Sequence, residues 1–172
     1  AQVISEAVLP FSTGVIGETL PIEKIVEALP TAIKNLSTEG WGDAAQGILT
    51  TDTRTKGAST QVELSGQVVT ITGISKGSGM IRPDMATMLG FVATDAKVDK
   101  LLLQKILKQA ADRSFNRITV DGDTSTNDAC MLVATGASNA PLIDSESHPD
   151  YDIFLAAVIG VLEQLAKAIV PE

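Results

Sequence analysis

Residues 60–74 alternate between apolar and polar side chains, which is the pattern of a half-buried β-strand. Val62 and Leu64 lead into the dipeptide Ser65-Gly66, and a second alternating run follows it. Small and flexible residues between two such runs are typical of a tight turn. The pattern therefore predicts a β-hairpin, and any fold for this chain must place an antiparallel pair of strands in a sheet.

The rest of the chain alternates between strand and helix patterns. Pro21 suits the first turn of a helix, Pro30 is expected to break or kink that helix, and Asp99 is a good N-cap for a later one. We predict an α/β (α+β layered) domain with mixed β-sheets flanked by helices. Further strands are predicted at residues 3–11, 87–93 and 117–120, an apolar run follows at 130–134, and helices are predicted at 22–29, 41–49, 100–111 and 151–170.

Composition excludes several classes of partner. The 172 residues are enough for one domain, or a large part of one. With 13 basic and 21 acidic residues the formal charge is -8, so the chain lacks the positive field that binding to nucleic acid or anionic membranes needs. A single cysteine favours a reducing, cytoplasmic setting, and no stretch predicts a membrane span or a targeting segment.

Common nucleophile and nucleotide motifs are absent. His148 stands beside Pro149 in a polar loop and is expected to be a solvated loop histidine, whereas Cys130 lies in an apolar run and is expected to be a core residue. Gly77-Ser78-Gly79 begins like a dinucleotide fingerprint, but Arg82 occupies the position of the third glycine. We expect no cofactor.

A metal site is not expected either. Asp121, Asp123 and Ser125 imitate the start of a calcium-binding loop. The position that needs glycine is Thr126, however, and the position that needs a bidentate acid is Leu132. The sequence therefore excludes an EF-hand.

Residues 76–91 are the most unusual segment. A lysine and a loop rich in small residues lead to Thr87 at the start of an apolar strand, where a hydroxyl has no packing purpose. From the residues alone, two interpretations stay open: a binding loop, and a structural turn with a capping threonine.

Five stretches in this chain resemble motifs of the ornithine acetyltransferase family. Two of them, Lys76–Ile81 and Pro83–Leu89, are similar to parts of its self-cleavage segment. The others are similar to its oxyanion segment, a substrate-contacting turn and a further family motif, at Ser12–Gly17, Thr50–Thr53 and Asp121–Asp128. The motifs occur in family order and span most of the chain.

The resemblance implies autocatalytic cleavage of the Ala86-Thr87 bond. Residues 1–86 would then be an α-chain portion and residues 87–172 a β-chain portion, and the family assembles α and β chains as a heterotetramer. Residues 1–172 would be the central part of one catalytic domain, with a fold like that of the self-processing aminopeptidases. Because family members are longer, we expect the chain to be a fragment that lacks part of the substrate pocket and is inactive by itself.

The resemblance also implies a catalytic cycle. The freed α-amino group of Thr87 would activate the hydroxyl of the same residue, which takes the acetyl group from N-acetylornithine and passes it to glutamate. Thr13 and Gly14 would stabilise the oxyanion, and no cofactor or metal takes part. Acetyl-CoA as a second acetyl donor remains open.

Two further residues match substrate-contacting positions of the family. Lys76 would pair with the carboxylate that acetylornithine and glutamate share. Thr53 is the predicted substrate-contacting threonine, although Thr50 and Thr51 remain alternatives for the same family position. Two alternative functions also remain: an N-terminal-threonine amidohydrolase or aminopeptidase, and a catalytically silent binding or assembly domain.

Overall fold

A computed structural model of the chain describes residues 4–11, 17–79, 81, 88–123, 125 and 127–170. The chain separates into two compact units, Ala1–Trp41 and Gly42–Glu172. In the first unit the described residues form a 3-10 turn at Ser5–Ala7 and the helix α1 (Ile22–Lys34). The predicted strand at 3–11 is wrong in its described part, because the Val8 amide donates to the Ser5 carbonyl and closes a turn.

Helix α1 has the predicted amphipathic pattern, but the break at Pro30 does not occur. The helix continues through Pro30 to Lys34. A proline removes one amide donor, yet its fixed φ is close to the helical value, so the neighbouring residues can keep helical geometry. None of the side chains of α1 is buried in the described structure.

The second unit is built around a four-stranded mixed sheet in the order β1-β2-β3-β4. The first three strands pair antiparallel and β3 pairs parallel with β4, so the predicted fold class is confirmed. The connection from β3 to β4 includes helix α3, as a parallel pair requires. The elements of this part are α2 (Trp41–Gly47), β1 (Lys56–Leu64), β2 (Gln67–Lys76), β3 (Leu89–Thr94), α3 (Lys100–Arg113), β4 (Ala129–Ala134) and α4 (Tyr151–Ile169).

The predicted hairpin is confirmed, with strands longer than expected. Ser65 (φ 49°) and Gly66 (φ 75°) both have positive φ and form the two-residue connection between β1 and β2. Two central residues with positive φ match the twist of the strands they join. The buried carboxylate of Asp150 accepts hydrogen bonds from the amide and the hydroxyl of Ser65, so the start of α4 holds the turn.

Asp150 gives a test of this packing. Replacing Asp150 by alanine leaves two polar groups of Ser65 without their acceptor, which should lower the free energy of unfolding by about 1–3 kcal/mol. Urea denaturation measures the change. Replacing the exposed Asp152 by alanine is the matched control, and an equal loss in both variants would contradict the assigned role of Asp150.

Helix α4 forms the centre of the core. It packs on β1, β2 and α3, and its side chains at Phe154, Val158 and Leu162 are fully buried. A Cβ atom at Gly73 in β2 would lie 2.8 Å from Val92 Cγ2 and 3.0 Å from Leu165 Cδ1. Glycine at this position therefore allows α4 to approach the sheet closely.

Helix α3 begins where the sequence predicts, because the Asp99 side chain accepts hydrogen bonds from the amides of Leu101 and Leu102. The predicted strand at 117–120 is wrong. Phe115–Arg117 is a 3-10 turn, and Thr119 and Val120 donate hydrogen bonds to the Ile81 carbonyl. An apolar run that pairs with a single loop residue forms no strand ladder.

Candidate active site

A buried ion pair fixes the turn at residues 50–54. The side chains of Asp52 and Lys56 are 0% and 4% exposed, and Lys56 Nζ lies 2.6 Å from Asp52 Oδ1. The amide of Gly77, directly after β2, donates to the same oxygen at 2.7 Å. Burial by itself raises the pKa of Asp52, but the hydrogen bonds from Lys56 and two backbone amides outweigh it, so the pKa lies below its usual value.

Asp52 thus joins the Thr50–Thr53 turn to the end of β2. A second bond strengthens the connection, since the hydroxyls of Thr51 and Ser78 are 2.5 Å apart. Two segments that are 27 residues apart in sequence therefore lie side by side. The structure brings the two motifs together.

Lys76, the last residue of β2, is 2% exposed and lines a cavity of about 300 Å³. Thr50 and Thr51 line the same cavity. Thr53 does not; it lines a neighbouring cavity of about 620 Å³ together with Lys56 and Gly77. Among the residues that the structure describes, the smaller cavity is lined by Thr50, Thr51, Lys76, Ser78, Gly79, Asp121 and Asp123.

The loop before β4 holds one side of the proposed cleavage segment. At Ile81, the amide donates to Asp121 Oδ1 at 2.9 Å, while the carbonyl accepts the Val120 amide and the Thr119 hydroxyl, both at 2.7 Å. Backbone groups at both ends of this residue are therefore satisfied by one loop.

The same loop also binds the residue that follows the proposed cleavage segment. The Met88 amide donates to Asp128 Oδ1 at 2.7 Å, and the Met88 carbonyl accepts the Ala129 amide at 3.0 Å. Strand β3 begins at the next residue, Leu89. Residues 119–129 thus fix the chain both before and after residues 82–87.

Four of the predicted site residues lie outside the described residues: Thr13, Gly14, Ala86 and Thr87. Of the predicted site residues that are described, Lys76 lines the cavity next to this loop, and Thr53 does not line it. The individual roles of Asp52, Lys56, Ser78 and Asp128 were not predicted from the sequence. Asp52, Ser78 and Asp128 lie inside the quoted motifs, and that position is the one signal that could have marked them.

Cys130 and His148 were predicted to be a core residue and a solvated loop residue, and the structure shows the surroundings of both. Cys130 is half-buried, and burial raises the pKa of its thiol to about 12, so it is a packing residue, as predicted. His148 is not fully solvated, because its side chain is 17% exposed and Nδ1 accepts the amide of Asp150. Among the described residues no group of His, Cys, Asp or Glu is placed to hold a metal ion, and no helix is long and apolar enough to cross a membrane.

Comparisons with known proteins identify the family. The model of the ArgJ family matches residues 1–172, and the chain belongs to this family. Over 166 residues it is 55% identical to the "Arginine biosynthesis bifunctional protein ArgJ" of Pseudomonas syringae pv. tomato and 57% identical to the protein of that name from Methylococcus capsulatus. Each match covers 96% of this chain and 41% or 40% of the relative, so the chain spans about two fifths of their length.

A solved structure is also similar to this chain. It is the crystal structure of the arginine biosynthesis bifunctional protein ArgJ from Bacillus halodurans, which is 46% identical with a TM-score of 0.47. The match covers 48% of this chain and 38% of that one.

Proposed function

We propose that this chain is part of an acetyltransferase of arginine biosynthesis that moves an acetyl group from N-acetylornithine to glutamate. The observation that carries the proposal is the anchoring of Ile81 and Met88 by one loop, beside the cavity that Lys76 lines. Family membership and the names of the relatives support the same pathway. The nucleophile in this proposal is Thr87.

Cleavage before Thr87 is the first step. The Thr87 hydroxyl adds to the carbonyl carbon of Ala86, the bond from that carbon to the Thr87 nitrogen breaks, and the nitrogen takes up a proton. Water then hydrolyses the ester, which leaves a carboxylate on Ala86 and a free α-amino group on Thr87. Residues 1–86 and 87–172 become portions of an α and a β chain, which we propose to assemble as a heterotetramer in the cytoplasm.

Acetyl transfer follows as two half-reactions. The α-amino group takes the proton of the Thr87 hydroxyl while the oxygen attacks the acetyl carbonyl of N-acetylornithine, and ornithine leaves with a proton. The amine of glutamate then attacks the acetyl-threonine ester and releases the Thr87 hydroxyl. In both steps Thr13 and Gly14 would stabilise the oxyanion.

Lys76 is the proposed partner of the substrate carboxylate. Its buried position favours a charge-assisted hydrogen bond to a carboxylate inside the cavity. The cavity volume of about 300 Å³ is at the lower end of the range for small-molecule sites. Because Thr50 and Thr51 share this cavity with Lys76, they are better placed than Thr53 to contact the same substrate.

Glutamate dependence separates acetyl transfer from hydrolysis. The natural gene product should release ornithine from N-acetylornithine in repeated turnovers only when glutamate is present, and acetylglutamate should appear in equal amount. Chromatographic measurement of both products tests this. Equal ornithine release without glutamate would favour the amidohydrolase, and adding acetyl-CoA in place of N-acetylornithine tests the second donor.

A further inference from the structure

One carboxylate oxygen of Asp128 accepts a hydrogen bond, and the other is buried without a hydrogen-bond partner. Oδ1 accepts the Met88 amide at 2.7 Å. Oδ2 is inaccessible to solvent and has no hydrogen-bond partner within normal geometric limits in the described structure. A buried carboxylate oxygen without a donor is costly, so such an atom calls for an explanation.

The chemistry of the neighbouring residue supplies a donor. The α-nitrogen of Thr87 is three covalent bonds from the Met88 nitrogen, so the two nitrogens lie within about 4 Å of each other in any conformation. Cleavage before Thr87 converts that nitrogen from an amide with one hydrogen into an ammonium group with three. A new charged donor then arises within about 4 Å of the nitrogen that Asp128 Oδ1 already binds.

We propose that Asp128 is a positioning residue for the amino group of Thr87: Oδ1 holds the Met88 amide, and Oδ2 accepts a hydrogen bond from the ammonium group that cleavage creates. The inference rests on the proposed function and deepens it. Asp128 would orient the base and, through its negative charge, raise the pKa of the amine that serves as the base.

The charged surroundings of Asp128 agree with this role. Burial raises the pKa of Asp128, while the Met88 amide, the nearby Ser125 hydroxyl and the charge on Lys76 act in the opposite direction. The titratable groups that face this position come from several elements. Lys76 on β2 acts on Asp128 through its charge, and Asp121 lies in the preceding loop, where it binds the Ile81 amide. Cys130 on β4 and Lys105, Lys108 and Asp112 on α3 line the same groove as Asp128 and Met88.

The test is the pH dependence of kcat/KM for acetyl transfer by the natural gene product. Activity requires the neutral amine, so the acidic limb of the profile follows the amine pKa of the free enzyme. Asp128→Asn keeps an oxygen for the Met88 amide but removes the charge. We expect the acidic limb to move to lower pH by about one unit or more, because an opposite charge at this range shifts a pKa by about 1–3 units.

Asp95→Asn is the matched control. Asp95 directly follows the last residue of β3 and, like Asp128, is half-buried. It also accepts a hydrogen bond from a backbone amide, that of Thr70, at 2.8 Å. The acidic limb of the pH profile of the Asp95→Asn variant should stay at the wild-type pH. If the Asp128→Asn protein does not fold, Asp128→Ser removes the same charge with a smaller side chain and should give the same shift.

Two controls on the wild-type protein separate the possible failures. Absence of a Thr87 terminus or of acetyl transfer in the wild type would overturn the proposed function. The role of Asp128 alone would be overturned if the wild type is cleaved and transfers acetyl groups normally but the Asp128 variants leave the acidic limb of the pH profile in place. The same conclusion would follow if Asp95→Asn moves the acidic limb as far as the Asp128 variants do.

Discussion

Replacing Thr87 by alanine is expected to abolish both cleavage of the 86–87 bond and acetyl transfer. The variant has no hydroxyl to attack the preceding carbonyl, so the natural gene product should remain one uncut polypeptide. Loss of a covalent nucleophile typically lowers kcat by at least about 10⁴-fold. Electrophoresis and N-terminal sequencing report cleavage, and acetylglutamate formation reports activity.

Thr87→Ser is the control for this variant. Serine keeps the hydroxyl, and after cleavage it also provides an α-amino group, so cleavage and measurable transfer should persist. A Thr87→Ala protein that still transfers acetyl groups at the wild-type rate would show that another residue carries the acetyl group.

The largest expected effect on stability is at Lys56. Replacing Lys56 by methionine keeps much of the apolar stem but leaves the Asp52 carboxylate, whose side chain is 0% exposed, without its cation. Breaking a buried ion pair by removing one partner is strongly destabilising, and we expect a loss of about 3 kcal/mol in the free energy of unfolding. Chemical denaturation at neutral pH measures the loss.

The exposed pair of Lys108 and Asp112 is the matched control, because its side chains are 78% and 49% exposed. Lys108→Met should change stability by less than about 1 kcal/mol. A similar loss in both variants would contradict the special role of the buried pair.

The Asp52 pair also predicts a pH dependence. The pKa of Asp52 is lowered in the folded state, so its stabilising contribution is complete above the unfolded value of 3.8 and is lost as the pH falls through the lower folded value. The stability difference between wild type and Asp52→Asn should therefore shrink in strong acid.

Much of the fold could be predicted because its signals are local. The hairpin turn, the Asp99 cap and the apolar pattern of α4 depend on residues that are close together in sequence. The error at residues 117–120 arose where tertiary contacts decided the outcome. Residues 118–120 contain apolar side chains typical of a strand, but the Thr119 hydroxyl and the Val120 amide donate to the Ile81 carbonyl, which lies 38 residues before Thr119.

The site was predictable only in part for the same reason. The resemblance marked Lys76, which the structure places beside a loop that anchors both sides of residues 82–87. The sequence offered no physical means of choosing among three neighbouring threonines, since the choice depends on which of them faces the Lys76 cavity. Pairing across 40 residues, as between Met88 and Asp128, has no signature in a single sequence.

Acetyl transfer through Thr87 is tested most directly by mass spectrometry of the natural gene product after incubation with N-acetylornithine and without glutamate. We expect a β-chain that begins at Thr87 and carries one acetyl group on the Thr87 hydroxyl, and we expect glutamate to remove this group. Acetyl transfer by a protein that shows an intact 86–87 bond, or that never carries an acetyl group on Thr87, would contradict the proposed mechanism.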